Sequence, residues 1–247
     1  MTYDYLISLM TWSYSRLCAF EDCKYRFFLR YINEEEETPK FFAEYGKLIH
    51  SSAERFLSGE ITREEAVREY LAGFALIEPR APNVNIQSNY FSQGLNYLKS
   101  ASPCDDNVVT EKELRFKIGD YPFVGYADII LWNKEKNNYK IQDIKTRILT
   151  PKNAVIFNKY MRQLYLYSVG LHKEYNQYPT ELQFNCFRDG TLPSKEFDVS
   201  QIEPIKNWAV ETIHKIENET DWSPTVNWFY CKYICGLSHV CEYYSLL

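Results

Sequence analysis

The chain has 247 residues, 45% apolar and 25% charged, which suits one globular domain with a sizeable core. A formal net charge of -5 excludes a protein that coats nucleic acid by bulk charge, although it leaves room for a local basic groove. There is no run of about 18 apolar residues and no basic-then-apolar start, so neither a membrane span nor a signal peptide is expected and a cytoplasmic location follows.

Taken in chain order, Leu17, Phe20, Phe28 and Tyr31 recur at helical spacings and predict a helix over 13–31. The acidic run 34–37 reads as a solvated loop. Helices are expected over 41–57, from the capping box of Thr62 and Glu65 to about 77, and over 85–100. The period then changes from 3.6 to 2. Strands are expected over 108–118, 123–132 and 139–146, with turns at 119–120 and 134–138. A long amphipathic helix over 153–175, a strand over 181–188 and a helix over 201–216 follow. Helix, three strands, helix, strand is an α/β order that implies a mixed sheet packed by helices in a single domain. Its parts are a mainly helical 1–105, a core 106–190 and a C-terminal helix and tail 191–247.

Aromatic residues make up 17% of the chain, 21 Tyr and 15 Phe among them, more flat surface than a core of this size requires. Beyond core packing, the use open to it is base stacking in a single-strand channel, at about 1–3 kcal/mol per base. Seven cysteines, an odd number in a reducing compartment, argue against a disulfide framework. Three of them, Cys231, Cys235 and Cys241, fall in the C-terminal tail.

Residues two apart on a strand share a face, so Asp143 and Lys145 project together from the end of the third strand. A carboxylate there can hold a hard cation, and the ammonium beside it can steady charge on a phosphate; the plain alternative is a strand-end ion pair. Asp128 lies between small and apolar neighbours on the preceding strand, where a carboxylate is costly unless paired or metal-bound. Adjacent strands lie about 4.8 Å apart, so a suitable register lets Asp128 and Asp143 reach one cation. His50 is a possible further ligand, or an ordinary helix histidine. Gln163 and Tyr167, at i and i+4, share a face of the long helix, which by itself is equally an aromatic stripe.

Read in order, these residues resemble the RecB-like PD-(D/E)XK nucleases. SerTyrSerArgLeuCysAlaPheGluAspCys from Ser13 is similar to their S-x-S-x-L-x-x-F-x-x-C opening, GlyLysLeuIleHis to G-x-x-x-H, GlyTyrAlaAsp to G-x-x-D, AspIleLysThr to D-x-K-T and GlnLeuTyrLeuTyr to Q-x-x-x-Y. The resemblance implies a restriction-endonuclease-like α/β core with a central mixed sheet. It implies His50, Asp128 and Asp143 as ligands of Mg2+ or Mn2+, Lys145 as the catalytic lysine, and Gln163 and Tyr167 beside the DNA. Glu113 stands where many members carry a strand glutamate that can orient water; Glu111, two residues away, is the alternative. Iron-sulfur members carry one early and three late cysteines, which places a four-iron cluster on Cys23, Cys231, Cys235 and Cys241. The spacing between Cys231 and Cys235 is one residue longer than the usual C-x2-C, and zinc is the alternative metal. Cys18, Cys104 and Cys186 match no motif and read as packing residues.

The function expected is hydrolysis of DNA, on single strands or ends, in recombination, repair or CRISPR adaptation alongside a protein partner, with phage recombination nucleases among the similar proteins. A catalytically silent DNA-binding scaffold of the same fold is the alternative. No phosphate-loop motif is present, so no helicase motor is expected within these residues.

Overall fold

Alternating apolar side chains in the middle of the chain build the sheet that organises the protein. In the computed structural model, which describes residues 3–104 and 107–246, β1 (Val108–Ile118), β2 (Tyr121–Asn133) and β3 (Asn138–Lys145) form the expected antiparallel meander. β4 (Glu181–Cys186) adds parallel to β3, and β5 (Ser194–Glu196) adds antiparallel to β4, in the order β1-β2-β3-β4-β5. A parallel neighbour requires a crossover, which α7 (Ala154–Tyr175) supplies. The boundary expected at 105–106 lies outside the described residues.

Helices cover both faces of the sheet. On one, Leu114, Phe116, Phe123, Ile141 and Phe184 pack with Leu17 of α2 (Tyr14–Asp22), Leu164 of α7 and Ile213 of α8 (Ile202–Glu217). On the other, Ile129 and Ile144 meet Tyr45 and Ile49 of α4 (Phe41–Leu57), Tyr70 of α5 (Arg63–Leu76) and Leu98 of α6 (Val84–Ser100). Each such side chain contributes about 1.5–3 kcal/mol when fully buried. The capping box opens α5 as expected: Thr62 Oγ1 accepts from the Glu65 amide and Glu65 Oε2 accepts from the Thr62 amide.

The helix expected over 13–31 is two helices. Cys23 takes an extended conformation (φ -163, ψ 109), ending α2 and opening α3 (Lys24–Tyr31). Helical spacing continues on either side of the break and conceals it. The re-aimed α3 brings Leu29 against Cys235 and Leu237 of the tail. The acidic run is not wholly solvated either, because Glu37 pairs with Arg26 at 3.0 Å and Arg30 at 2.8 Å. The fourth strand ends at Cys186, two residues early, in a turn whose Gly190 has φ +70. Short elements that were not foreseen include α1 (Asp4–Ser8), β5 and α9 (Trp228–Tyr233).

One irregularity positions the site. The β1–β2 ladder pairs Thr110 with Ile129 and Lys112 with Ala127, while Glu111 and Asp128 between them are unpaired and Glu111 has φ +49. Residues two apart on a regular strand share a face, yet Ala127 packs on the α7 side and Ile129 on the α4 side. The two strands kink together here, and the acid at the kink leaves the ladder.

Candidate active site

The kink sits where β2 and β3 part. Their ladder ends at the pair Ile129–Gln142, so the next step of the register sets Asp128 beside Asp143. Instead of a ladder bond, the Ile144 amide donates to Asp128 Oδ2 at 2.8 Å. From the facing helix α4, His50 Nδ1 approaches that oxygen at 3.6 Å. Glu54, one turn further on, presents Oε1 at 3.9 Å from His50 Nδ1. The ligand atoms of His50, Glu54 and Asp128 all lie within 4.8 Å of one another.

By its chemistry this arrangement could hold a cation. Glu54 and Asp143 are 7% and 1% exposed, and Glu54 Oε1 and Asp143 Oδ2 are buried without a hydrogen-bond donor. Asp143 Oδ2 does lie 2.5 Å from Lys145 Nζ, a charge contact that lacks the angle of a directed hydrogen bond. Buried acceptors left open are costly, and a divalent cation among His50, Glu54 and Asp128 would satisfy Glu54 Oε1, with the Asp143 charge near Asp128 adding to its attraction. Burial, reinforced by the Asp143 charge, pushes the Asp128 carboxyl up to about 7. Contact with Glu54, followed by burial, pushes Glu111 up to about 7. Burial works to lower His50, but Glu54 and Asp128 outweigh it and the ring is held above its usual range. The residues present therefore fit Mg2+ or Mn2+.

Lys145 is held from behind. Its Nζ donates to Gln163 Oε1 at 2.8 Å, and Gln163 Nε2 donates to Tyr167 Oη at 2.8 Å. Burial acts to lower the Lys145 ammonium, yet Asp143 and Asp128 outweigh it, raising it above the ordinary lysine range and keeping it charged. Two motif glycines serve this assembly. A Cβ on Gly125 would lie 2.6 Å from the Tyr167 ring, so the glycine of GlyTyrAlaAsp is the seat of that tyrosine. Gly46 of GlyLysLeuIleHis faces Thr146, just beyond Lys145, where an added Cβ would meet Thr146 Cγ2 at 3.4 Å.

The expected residues thus divide. His50, Asp128, Asp143, Lys145 and Gln163 come together. Tyr167 is only 8% exposed, so it offers no stacking plane to a base; its hydroxyl accepts from Gln163 Nε2 instead. Glu113 is exposed and paired with Arg115 at 2.5 Å, whereas Glu111 at the kink, also exposed, is the one that contacts Glu54. Glu54 was missed, although its position four residues after His50 was a visible signal. Cys23, Cys231, Cys235 and Cys241 line one cavity between α3 and the tail. Burial raises the thiols of Cys235 and Cys241, and the nearby Cys23 and Cys231 add to it. Cys18 is pushed up to about 11 by burial, and Cys186 is fully buried, in keeping with packing roles.

The relay makes a separable prediction. Tyr167→Phe keeps the ring on Gly125 and removes the hydroxyl, so turnover is expected to fall roughly 5-fold, the worth of one hydrogen bond of about 1 kcal/mol, with the thermal melt nearly unchanged. Tyr167→Ala should cost about 3–5 kcal/mol of stability, as a large buried aromatic does. A phenylalanine variant with wild-type turnover would remove the hydroxyl from the mechanism.

Compared with known proteins, residues 11–242 match the PD-(D/E)XK nuclease superfamily. No curated protein matches the chain. That match takes in every strand and helix that carries the site, and this chain belongs to the PD-(D/E)XK nuclease superfamily.

Proposed function

We propose that the protein is a divalent-cation-dependent deoxyribonuclease that works from ends or on single strands, as an exonuclease. The observation that carries the nuclease reading is the convergence of His50, Asp128 and the open, buried Glu54 oxygen, next to the buried Asp143 and its charged lysine. A bound Mg2+ or Mn2+ supplies Lewis-acid polarisation of the phosphate and lowers the pKa of a water. His50, Glu54 and Asp128 would hold it, and Asp143, next to Asp128 in the register, is the further ligand proposed. Lys145 places a fixed positive charge where negative charge develops on phosphate oxygens, and Gln163 fixes the direction of its Nζ. A scaffold without activity has no need of this lysine or its relay. Incubation with end-labelled single- and double-stranded DNA, with manganese and with chelator, tests the reading. Release of mononucleotides only from single strands or ends, and only with metal, is the expected result; no cleavage of either substrate with any divalent cation sinks it.

The four cysteines extend the proposal to a structural iron-sulfur cluster. Thiolates are the ligands such clusters take, and here they converge from the start and end of the chain on a cavity whose other walls include Leu29, Val226 and Leu237. A tetrahedral zinc site, with bonds of about 2.3 Å, needs its sulfurs about 3.8 Å apart. Zinc is the alternative for the same four thiolates, and metal analysis of the purified protein separates the two. Cys23→Ser is expected to abolish the brown colour of anaerobically purified protein and lower its melting temperature, while Cys104→Ser and Cys186→Ser keep the colour. Wild-type protein holding stoichiometric zinc and no iron or sulfide overturns the cluster. Among the described residues no helix is long and apolar enough to cross a membrane, and a cytoplasmic setting is the location proposed. Recombination or CRISPR adaptation with a protein partner, as in phage or bacterial systems, is the pathway class proposed.

A further inference from the structure

A row of aromatic rings leads from the cysteine-bearing tail to the catalytic end of the sheet. Trp228 and Phe229 of α9 are 51% and 40% exposed, large apolar surfaces for a protein to leave in water. Tyr233 lies 5.6 Å from Trp228 and 5.2 Å from Phe229, between ring centroids. The row crosses to α4 at Phe229–Phe42, 5.9 Å, and continues to Tyr90 of α6, 5.4 Å from Phe42. Each end of the row carries a cation over a ring: Lys232 Nζ is 5.1 Å from the Trp228 centroid, and the Arg188 guanidinium is 4.2 Å from that of Tyr90.

Two features tie this row to the site. Arg188 lies two residues beyond Cys186, the strand position paired with Lys145. On α4, Phe42, Gly46 and His50 are spaced i, i+4, i+8 and form one stripe, which sets Phe42 about 12 Å along the helix from the ligand histidine. Between them stands Gly46, which faces Thr146, the residue after Lys145.

We infer that this row is the path of single-stranded DNA to the active site, its bases stacking on Trp228, Phe229 and Phe42 and its phosphates meeting Lys232 and Arg188. The inference rests on the nuclease reading above. A duplex hides the faces of its bases, and an apolar protein partner has no use for a cation at each end. A single strand presents flat apolar faces and one negative charge per residue together. The cations are available for it: among the described residues neither pairs with a carboxylate, and Arg188 donates only to Gln93 Oε1, at 2.8 Å. At a net charge of -5, two such placed cations matter more than bulk attraction.

The test compares a long oligothymidylate with a thymidine dinucleotide. The long strand's affinity is read by fluorescence anisotropy with calcium in place of manganese, and hydrolysis of the dinucleotide is read with manganese. Trp228→Ala and Phe229→Ala are each expected to weaken the long strand by about 5-fold or more, the lower bound for loss of one stacked base, while the dinucleotide is cut at the wild-type rate. Trp228→Tyr should restore binding. Lys232→Glu, a surface change that leaves the rings in place, should weaken the long strand and flatten its dependence on salt. Wild-type affinity in the alanine variants, or an unchanged salt dependence in Lys232→Glu, overturns the path. If the wild-type protein cuts nothing yet binds the long strand through these rings, the path stands and the nuclease reading is what fails.

Discussion

Lys145→Ala is expected to lower DNA cleavage by about 10²–10³-fold, the usual cost of removing one fixed donor from a transition-state site, while manganese affinity is kept. The argument is electrostatic. The ammonium is locked between Asp143 at 2.5 Å and Gln163 at 2.8 Å, so its direction is set before substrate arrives and no reorganisation is needed as charge develops. Its removal also frees Asp143 Oδ2 from that charge contact, so the cation should bind as well as before or more tightly. Titration calorimetry with manganese beside a cleavage assay checks both halves. Cleavage at the wild-type rate, or loss of manganese binding, contradicts the role given to the lysine.

The second large effect is expected at Asp128. Asp128→Ala confuses two roles, because the Ile144 amide loses its acceptor at the same time, at a cost of about 1–3 kcal/mol. Asp128→Asn separates them. The amide oxygen still accepts from Ile144, so the melt should stay close to wild type, while loss of the negative charge should weaken manganese binding by at least tenfold and remove most cleavage. An asparagine variant that binds manganese normally shows that Asp128 closes the sheet and is not a ligand.

How much of this could be read from residues alone depended on whether a feature was periodic. Strand alternation placed Asp143 and Lys145 on one face, and the capping box fixed the start of α5, because both obey short-range rules. Cys23 broke a helix without breaking its pattern, since the apolar spacing resumes in α3. Glu54 looked like an ordinary helix acid until the fold buried it against His50 and Asp128. The choice between Glu111 and Glu113 turned on a kink shared by two strands, which no period reports. Three-residue β5 and six-residue α9 are too short to show periodicity at all.

The seating of the Tyr167 ring on Gly125 has a bearing on how this protein can vary. Two motifs far apart in the chain meet in one contact, so neither position drifts alone: a side chain at Gly125 displaces the ring, the ring carries Gln163 with it, and Gln163 carries Lys145. Changes at touching residues are not additive, and a methyl group at 125 becomes tolerable only in company with a smaller residue at 167. The two motifs are in that sense a single heritable unit, and lineages that alter it must cross a poorly active intermediate or change both positions together.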